Sequence, residues 1–228
     1  MDTNLDLLTA LKPDKRGRKP RLSRAMITAE ALQMLTEAPL EAFTLARLAK
    51  RLNAGVMSLY TYFSSRDELL DAVAEQIFAG FEAPAAEGVW QDVMLDWLWA
   101  TQRLLDQYPV VLKVIFWDGH HSPAWLKFWW LPIAALFKRQ GLDNQETAFA
   151  MNWFTTSAIG MMVAQAGSAQ RKQPSVIARI APLDADQQRL AAELWFCLGE
   201  VDRRDALAFG FRNLIAGLEK IIEKTVKN

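Results

Sequence analysis

Residues 51–63 read RLNAGVMSLYTYF. A basic helical pattern stops at small turn-formers, and a short segment restarts at Val56 and ends in aromatics. Asn53 tolerates the left-handed backbone conformation that a chain reversal needs. Ala54 is small enough to tuck between crossing helices, and Gly55 can open the next helix although it brings no side-chain acceptor. Two helices joined by about three residues, the second of them short, describe a helix-turn-helix. In that arrangement the second helix enters the major groove of double-stranded DNA and points its first residues at base edges. Those residues are Val56, Met57 and Ser58. Leu59 and Phe63, four apart, then face the protein, which leaves Tyr60, Thr61 and Tyr62 beside the groove, where hydroxyls meet phosphates.

Helical periodicity continues on both sides. Ser23 precedes a first helix reaching about residue 38, with Ile27, Ala31 and Leu35 in one stripe. A second helix, about 44 to 52, turns Leu45, Leu48, Ala49 and Leu52 inward, and a third covers about 56 to 62. Ser65 and Glu68 have the spacing of a capping box and start a fourth helix that can run to about residue 81. Beyond "EAPAAEG", helices are expected at about 89–108, 110–117, 123–139, 144–166, 185–198 and 203–225, with Pro132 kinking the third of these. No stretch shows sustained alternation with β-branched enrichment, so the expected fold is all-α. Its organisation is a flexible basic arm (1–21), a three-helix helix-turn-helix domain (22–68) and a larger helical domain (69–228).

The formal net charge of the 228 residues is zero, but its distribution is uneven. Residues 12–24, KPDKRGRKPRLSR, set seven basic side chains against Asp14 alone. Such a run beside a folded domain suits a polyanion. Val56, Met57 and Ser58 cannot make the bidentate bonds that Arg gives to guanine or Asn to adenine, so direct readout should be weak. The arm then gains importance: Arg16, Arg18 and Lys19, with Gly17 and Pro20 opposing a helix, can enter the minor groove and read its width.

The segment 44–70, TLARLAKRLNAGVMSLYTYFSSRDELL, resembles the DNA-binding segment of the tetracycline-repressor (TetR) family through Thr44, Leu48, Ala49, Leu52, Ser58, Leu59, Tyr60, Tyr62, Phe63, Ser65, Arg66 and Leu69. With the first helix included, the resemblance covers about residues 22 to 80. Asn53, Ala54 and Gly55 stand where the family usually has Gly, Val and Ser, and Pro39 replaces a common Gly. The resemblance implies that Thr44, opening the second helix, bonds a backbone phosphate, and that Tyr60, Tyr62 and Arg66 make further phosphate contacts. A helix N-terminus favours an anion on independent grounds.

One short recognition helix supplies too little contact for tight binding, so a symmetric homodimer on a palindrome is expected. The resemblance implies a four-helix bundle of two late helices from each chain. Ser157, Gly160 and Ala164 leave room for close helix approach, and Leu207, Phe211, Leu214 and Leu218 form an apolar stripe on the last helix. These are the candidate dimer residues, with ordinary intrachain core as the rival.

All nine Trp lie between residues 90 and 195. Aromatic stripes are usually core, yet as a set they suit an apolar small-molecule pocket, and the resemblance implies an effector site in this half. The candidate lining is Trp97, Trp117, Phe128, Trp129, Trp130, Met151 and Trp153, fit for a hydrophobic, flat aromatic or lipophilic cationic effector.

Other chemistry is thinly represented. Neither a Gly-rich phosphate loop, nor metal-ligand spacing, nor a nucleophile–base–orienter set is present, so the reading is non-enzymatic, without cofactor or metal. Adjacent His120 and His121 rarely share one ion and read as loop polarity. Cys197 reads as a buried small hydrophobe in a reducing compartment. No signal peptide or membrane span is read, so the expected location is cytoplasmic. The function expected is a dimeric transcriptional repressor released from its operator by a small effector. The alternative is an architectural or protein-interaction module that keeps the helix-turn-helix only as a structural unit.

Overall fold

The computed structural model describes residues 22–85, 87–117, 120–166 and 180–226. Ser23 opens α1 (Arg24–Glu37), its hydroxyl accepting the Met26 N–H, and α1 buries Ile27, Ala31, Met34 and Leu35. Pro39 cannot continue a helix with a glycine cap; the chain instead makes a single 3-10 turn, Leu40–Ala42, before α2 (Leu45–Arg51). Next come α3 (Val56–Tyr60) and α4 (Arg66–Phe78). The capping box expected at Ser65 forms on one side only. The Ser65 hydroxyl accepts the Glu68 N–H at 3.0 Å, but the Glu68 carboxylate takes the N–H of Ser64, at 2.6 Å, in place of that of Ser65.

Helix α4 buries Leu69, Leu70, Val73, Ala74, Ile77 and Phe78, more than one face of a surface helix presents. It packs on α1 at one end and on the later helices α6 (Val111–Ile115) and α7 (Pro123–Trp125) at the other. The expected division at 68/69 therefore falls inside a helix shared by both parts. Two-sided packing makes α4 a rigid strut between the helix-turn-helix and the remainder.

The larger part begins with α5 (Trp90–Gln107), whose Met94, Trp97, Thr101 and Leu104 stripe is buried while Asp92, Asp96 and Arg103 face solvent. After α6, Phe116–Trp117 and His120–His121 form an antiparallel pair of two-residue strands, β1 and β2. They are too short to show alternation in sequence, and they are the one departure from an all-helical chain among the described residues. The predicted kink at Pro132 takes the form of a widened turn. Residues Leu126–Trp130 are a π-helix in which the Leu131 N–H reaches back five residues to Leu126. Proline lacks the donor and crowds the carbonyl four residues earlier, so a wider turn before it relieves both conflicts. α8 (Leu131–Arg139) follows.

Asp143 and Glu146 cap α9 (Asn144–Ala166) reciprocally, each carboxylate accepting the other residue's N–H at 2.8 Å. The chain closes with α10 (Ala185–Glu200), opened by a capping box of Asp184 and Gln187, and α11 (Arg203–Val226). α9 and α11 lie close together because Gly210 and Gly217 let them. A Cβ at Gly210 would stand 2.5 Å from the Met161 sulfur, and one at Gly217 would stand 2.5 Å from the Trp153 ring. An aromatic series runs inward from the strand pair: Phe116 is edge-on to Trp125, which stacks on Trp129, which stacks on Phe154. Among the described residues, no helix is long and apolar enough to cross a membrane.

Candidate nucleic-acid interface

The turn between α2 and α3 is tight. Asn53 has φ 50°, in the left-handed region, and the Ala54 N–H reaches the Ala49 carbonyl at 2.9 Å. Gly55 caps α3 in an extended conformation without any side-chain bond. Leu59 and Phe63 are buried in the core and α3 packs on α2, which fixes the rotation of α3. Met57, 78% exposed, Ser58 and Tyr60, 46% exposed, consequently face outward, as does Thr61. Val56 is half-buried and packs on the core, so of the three base-facing candidates it has the least free surface.

Thr44 is exposed, and its oxygen caps α2 by accepting the Arg47 N–H at 3.2 Å. A hydroxyl carries one proton and two lone pairs, so this cap leaves the proton free to donate to an anion at the helix end. Arg66 is half-buried with its guanidinium 6.0 Å over the Phe43 ring. Tyr62 is half-buried too, and its hydroxyl donates to the Leu22 carbonyl at 2.6 Å. Arg16, Arg18 and Lys19 lie outside the described residues.

The basic side chains of the helix-turn-helix are not equally available. Arg51 pairs with Glu30 and with Glu37, holding the Glu37 carboxyl below its ordinary range and the guanidinium above its own. Arg24 pairs with Glu68, which also accepts two bonds from Ser64. Those bonds, the backbone one first, lower the Glu68 carboxyl to about 2. Arg24 is a residue that sequence reading missed, because its partners lie 38 and 44 residues away.

The effector candidates do not converge on one cavity. Trp129 is buried, its indole N–H donating to the Thr101 hydroxyl at 2.7 Å, and it lines an apolar cleft with Phe78, Thr101, Leu105, Trp125 and Ile159. That cleft is nearly filled, with about 20 Å³ of free space. This is room for about one water. Trp97 and Met151 are core residues, while Phe128 and Trp130 are half-buried, Phe128 stacking on Phe78. Trp117 sits in strand β1, paired through its backbone with His120. Trp153 is partly exposed, at 39%, with its ring at the seam of α9 and α11 against Gly217.

The dimer candidates divide the same way. Leu207, Phe211, Leu214 and Leu218 are buried in the chain's own core, so that stripe is not available to a partner. Of the small residues on α9, Ser157 is half-buried, whereas Gly160 and Ala164 are exposed, with open space around a Cβ built on Gly160. Their neighbours on the outer face are apolar: Phe149, Trp153 and Val163 on α9 and Phe209 on α11 are all exposed. Helix α10 is a further surprise. None of its residues is buried, and Leu190, Leu194, Trp195, Phe196 and Leu198 are all exposed. Cys197, expected to be buried, is exposed with them. Among the described residues, no group of three His, Cys, Asp or Glu is placed to hold a metal ion.

Residues 27–73 match the family of bacterial regulatory proteins, tetR family. Among curated relatives, the HTH-type transcriptional repressor DrrR1 of Streptomyces coeruleorubidus is 32% identical over 114 residues, 48% of this chain and 42% of that protein. The class D tetracycline repressor protein of Escherichia coli is 31% identical over 97 residues, 41% of this chain and 44% of the other. The chain thus spans less than half the length of these relatives. Among solved structures, the Streptomyces coelicolor TetR family protein ActR in complex with actinorhodin superposes with a TM-score of 0.69 at 23% identity, covering 87% of this chain and 96% of ActR. A possible TetR family transcriptional regulator from the same species gives 0.66 at 23%, covering 87% and 100%. The likeness in fold extends well beyond the helix-turn-helix.

Proposed function

We propose that the chain, whose residues 27–73 match the tetR family of bacterial regulatory proteins, is a member of that family and a cytoplasmic, dimeric, operator-binding transcriptional repressor responsive to a small molecule. The observation that carries the reading is the orientation of α3. Burial of Leu59 and Phe63 turns Met57, Ser58 and Tyr60 outward together, and the exposed Thr44 hydroxyl keeps a proton to donate. Met57 can contact a thymine methyl and Ser58 supplies one hydroxyl, so base readout is sparse. Thr44, Tyr60 and Arg66 take phosphates, and the basic arm supplies the remaining charge through Arg16, Arg18 and Lys19.

The dimer forms across the outer faces of α9 and α11, through Gly160, Ala164, Val163 and Phe209, with the apolar α10 covered in the same assembly. Exposed apolar surface on this scale marks a protein contact. The effector enters at the cleft beside Trp129. Because that cleft is nearly full, a flat aromatic ligand has to push the ring of Trp129 or Trp125 aside. Phe78, at the end of α4, lines the same cleft, so displacement there moves the strut that carries the helix-turn-helix.

Selection of bound fragments from random duplex DNA tests the central claim. Enrichment of a palindrome that survives polyanion competitor is the expected outcome. Binding that competitor abolishes without any preferred site would sink the operator-specific reading. Tryptophan fluorescence against a panel of chemically varied aromatics tests the effector, since Trp129 and its stacked neighbours must change environment.

A further inference from the structure

Tyr62 follows the recognition helix, and both of its polar ends are captured within the domain. The hydroxyl donates to the carbonyl of Leu22 at 2.6 Å, and the Tyr62 carbonyl accepts from Arg24 Nη1. Arg24 lies 4.1 Å over the ring of Phe63 and bonds the Glu68 carboxylate at 2.9 Å. Glu68 in turn accepts from the Ser64 N–H and hydroxyl at 2.6 and 2.8 Å. The residues before α1, the turn after α3 and the start of α4 are thereby closed into one ring of bonds. A phenol has one proton to give. While it goes to Leu22, Tyr62 cannot donate to a phosphate.

Leu22 immediately follows the basic run that ends at Arg21. We propose that Tyr62 is a positioning residue, whose hydroxyl fixes the point at which the basic arm leaves the domain, beside the recognition helix, so that arm and helix meet one duplex in register. The inference rests on the DNA-binding reading above. Anchoring Leu22 leaves less conformational entropy to lose when the chain before it binds a duplex.

The test is a double-mutant cycle in the full chain, combining Tyr62→Phe with an arm neutralised by Arg16→Ala, Arg18→Ala and Lys19→Ala. The ligand is the duplex selected above. If Tyr62 acts through the arm, Tyr62→Phe weakens binding about fivefold, the worth of one hydrogen bond, and has no effect once the arm is neutral. Tyr62→Phe changes no charge at neutral pH, yet its salt dependence should flatten toward that of the neutral-arm variant, by about 0.9 in slope for each phosphate the arm no longer neutralises. A merely structural role would lower the thermal midpoint without moving that slope. Equal losses in both backgrounds, or no loss in either, or an unchanged slope, overturn the inference and leave the DNA-binding reading standing. A wild-type chain that selects no duplex overturns both.

Discussion

Helices α3 and α10 are both exposed, and they expose opposite chemistry. α3 hides Leu59 and offers Met57, Ser58 and Tyr60; α10 hides nothing and offers Leu190, Leu194, Trp195, Phe196 and Leu198. A five-residue helix is far too short to persist by propensity, so α3 exists because its back is packed. α10 has sixteen residues and a capping box but no packed face, and a helix of that length is still marginal alone in water. The exposed side of a helix thus names the chemistry of what it meets: small, polar and phenolic groups for a hydrated polyanion, aliphatic and aromatic groups for another protein surface.

The largest effect that can break this contrast lies on α11, which carries both kinds of face. Phe211→Ala should cost about 3–5 kcal/mol in urea unfolding, because the ring is fully buried. Phe209→Ala, two residues away but exposed in the single chain, should stay within about 0.5 kcal/mol when unfolding is followed at concentrations where the chain is monomeric. Equal costs would mean that the assignment of inner and outer faces is wrong. Next in size is α10. Leu194→Glu with Leu198→Glu places two charges one turn apart on the exposed stripe and should weaken self-association by on the order of 1,000-fold, read by sedimentation, if each side chain contributes about 2 kcal/mol to the interface. The pair touches no core residue, so a change in the helical circular dichroism of the dilute monomer, beyond α10 itself, would contradict the structure.

The same contrast explains what the sequence could and could not disclose. The helix-turn-helix was legible because its determinants are local: Ser23 and Thr44 cap, Asn53 turns, and Leu59 and Phe63 are four apart. An apolar stripe, however, has the same periodicity whether its partner is the chain itself or a second copy. Leu207 to Leu218 therefore looked like an interface and are core, while Cys197 sat in a run that looked like core and is exposed. The Tyr62–Leu22 bond and the Arg24 contacts join residues about forty positions apart, a separation at which no pattern in one sequence registers. The cleft beside Trp129 depends on helix crossings, which aromatic content alone does not specify.

A smaller effect probes the ring of bonds behind α3. The Glu68 carboxyl lies at about 2 in the folded chain, against 4.5 ordinarily. A carboxylate whose folded value is depressed contributes stability that is fully present above its unfolded value and lost as pH falls through its folded one. Wild type should therefore melt above Glu68→Gln at neutral pH, and the gap should close between about pH 4.5 and 2. A gap that persists at the acid end would assign the stabilisation to something other than the ionised carboxylate.

The smallest predicted effect tests whether α3 is limited by its own first turn. Gly55 caps that helix in an extended conformation that any residue adopts, and a Cβ there would meet only the Ser58 hydroxyl, at an ordinary 3.8 Å. Gly55→Ser therefore adds an acceptor for the first-turn N–H groups and restricts the unfolded chain. The two effects together are worth about 0.5–1 kcal/mol. The gain should appear as a higher thermal midpoint with operator affinity unchanged within about threefold, since the added Cβ meets the Ser58 hydroxyl at an ordinary contact distance and leaves that side chain where it is. If affinity falls much further while stability rises, the missing side chain at Gly55 is itself part of the DNA contact. The backbone there must then approach the phosphates closely, and the face that α3 offers to the duplex begins one residue earlier than Val56.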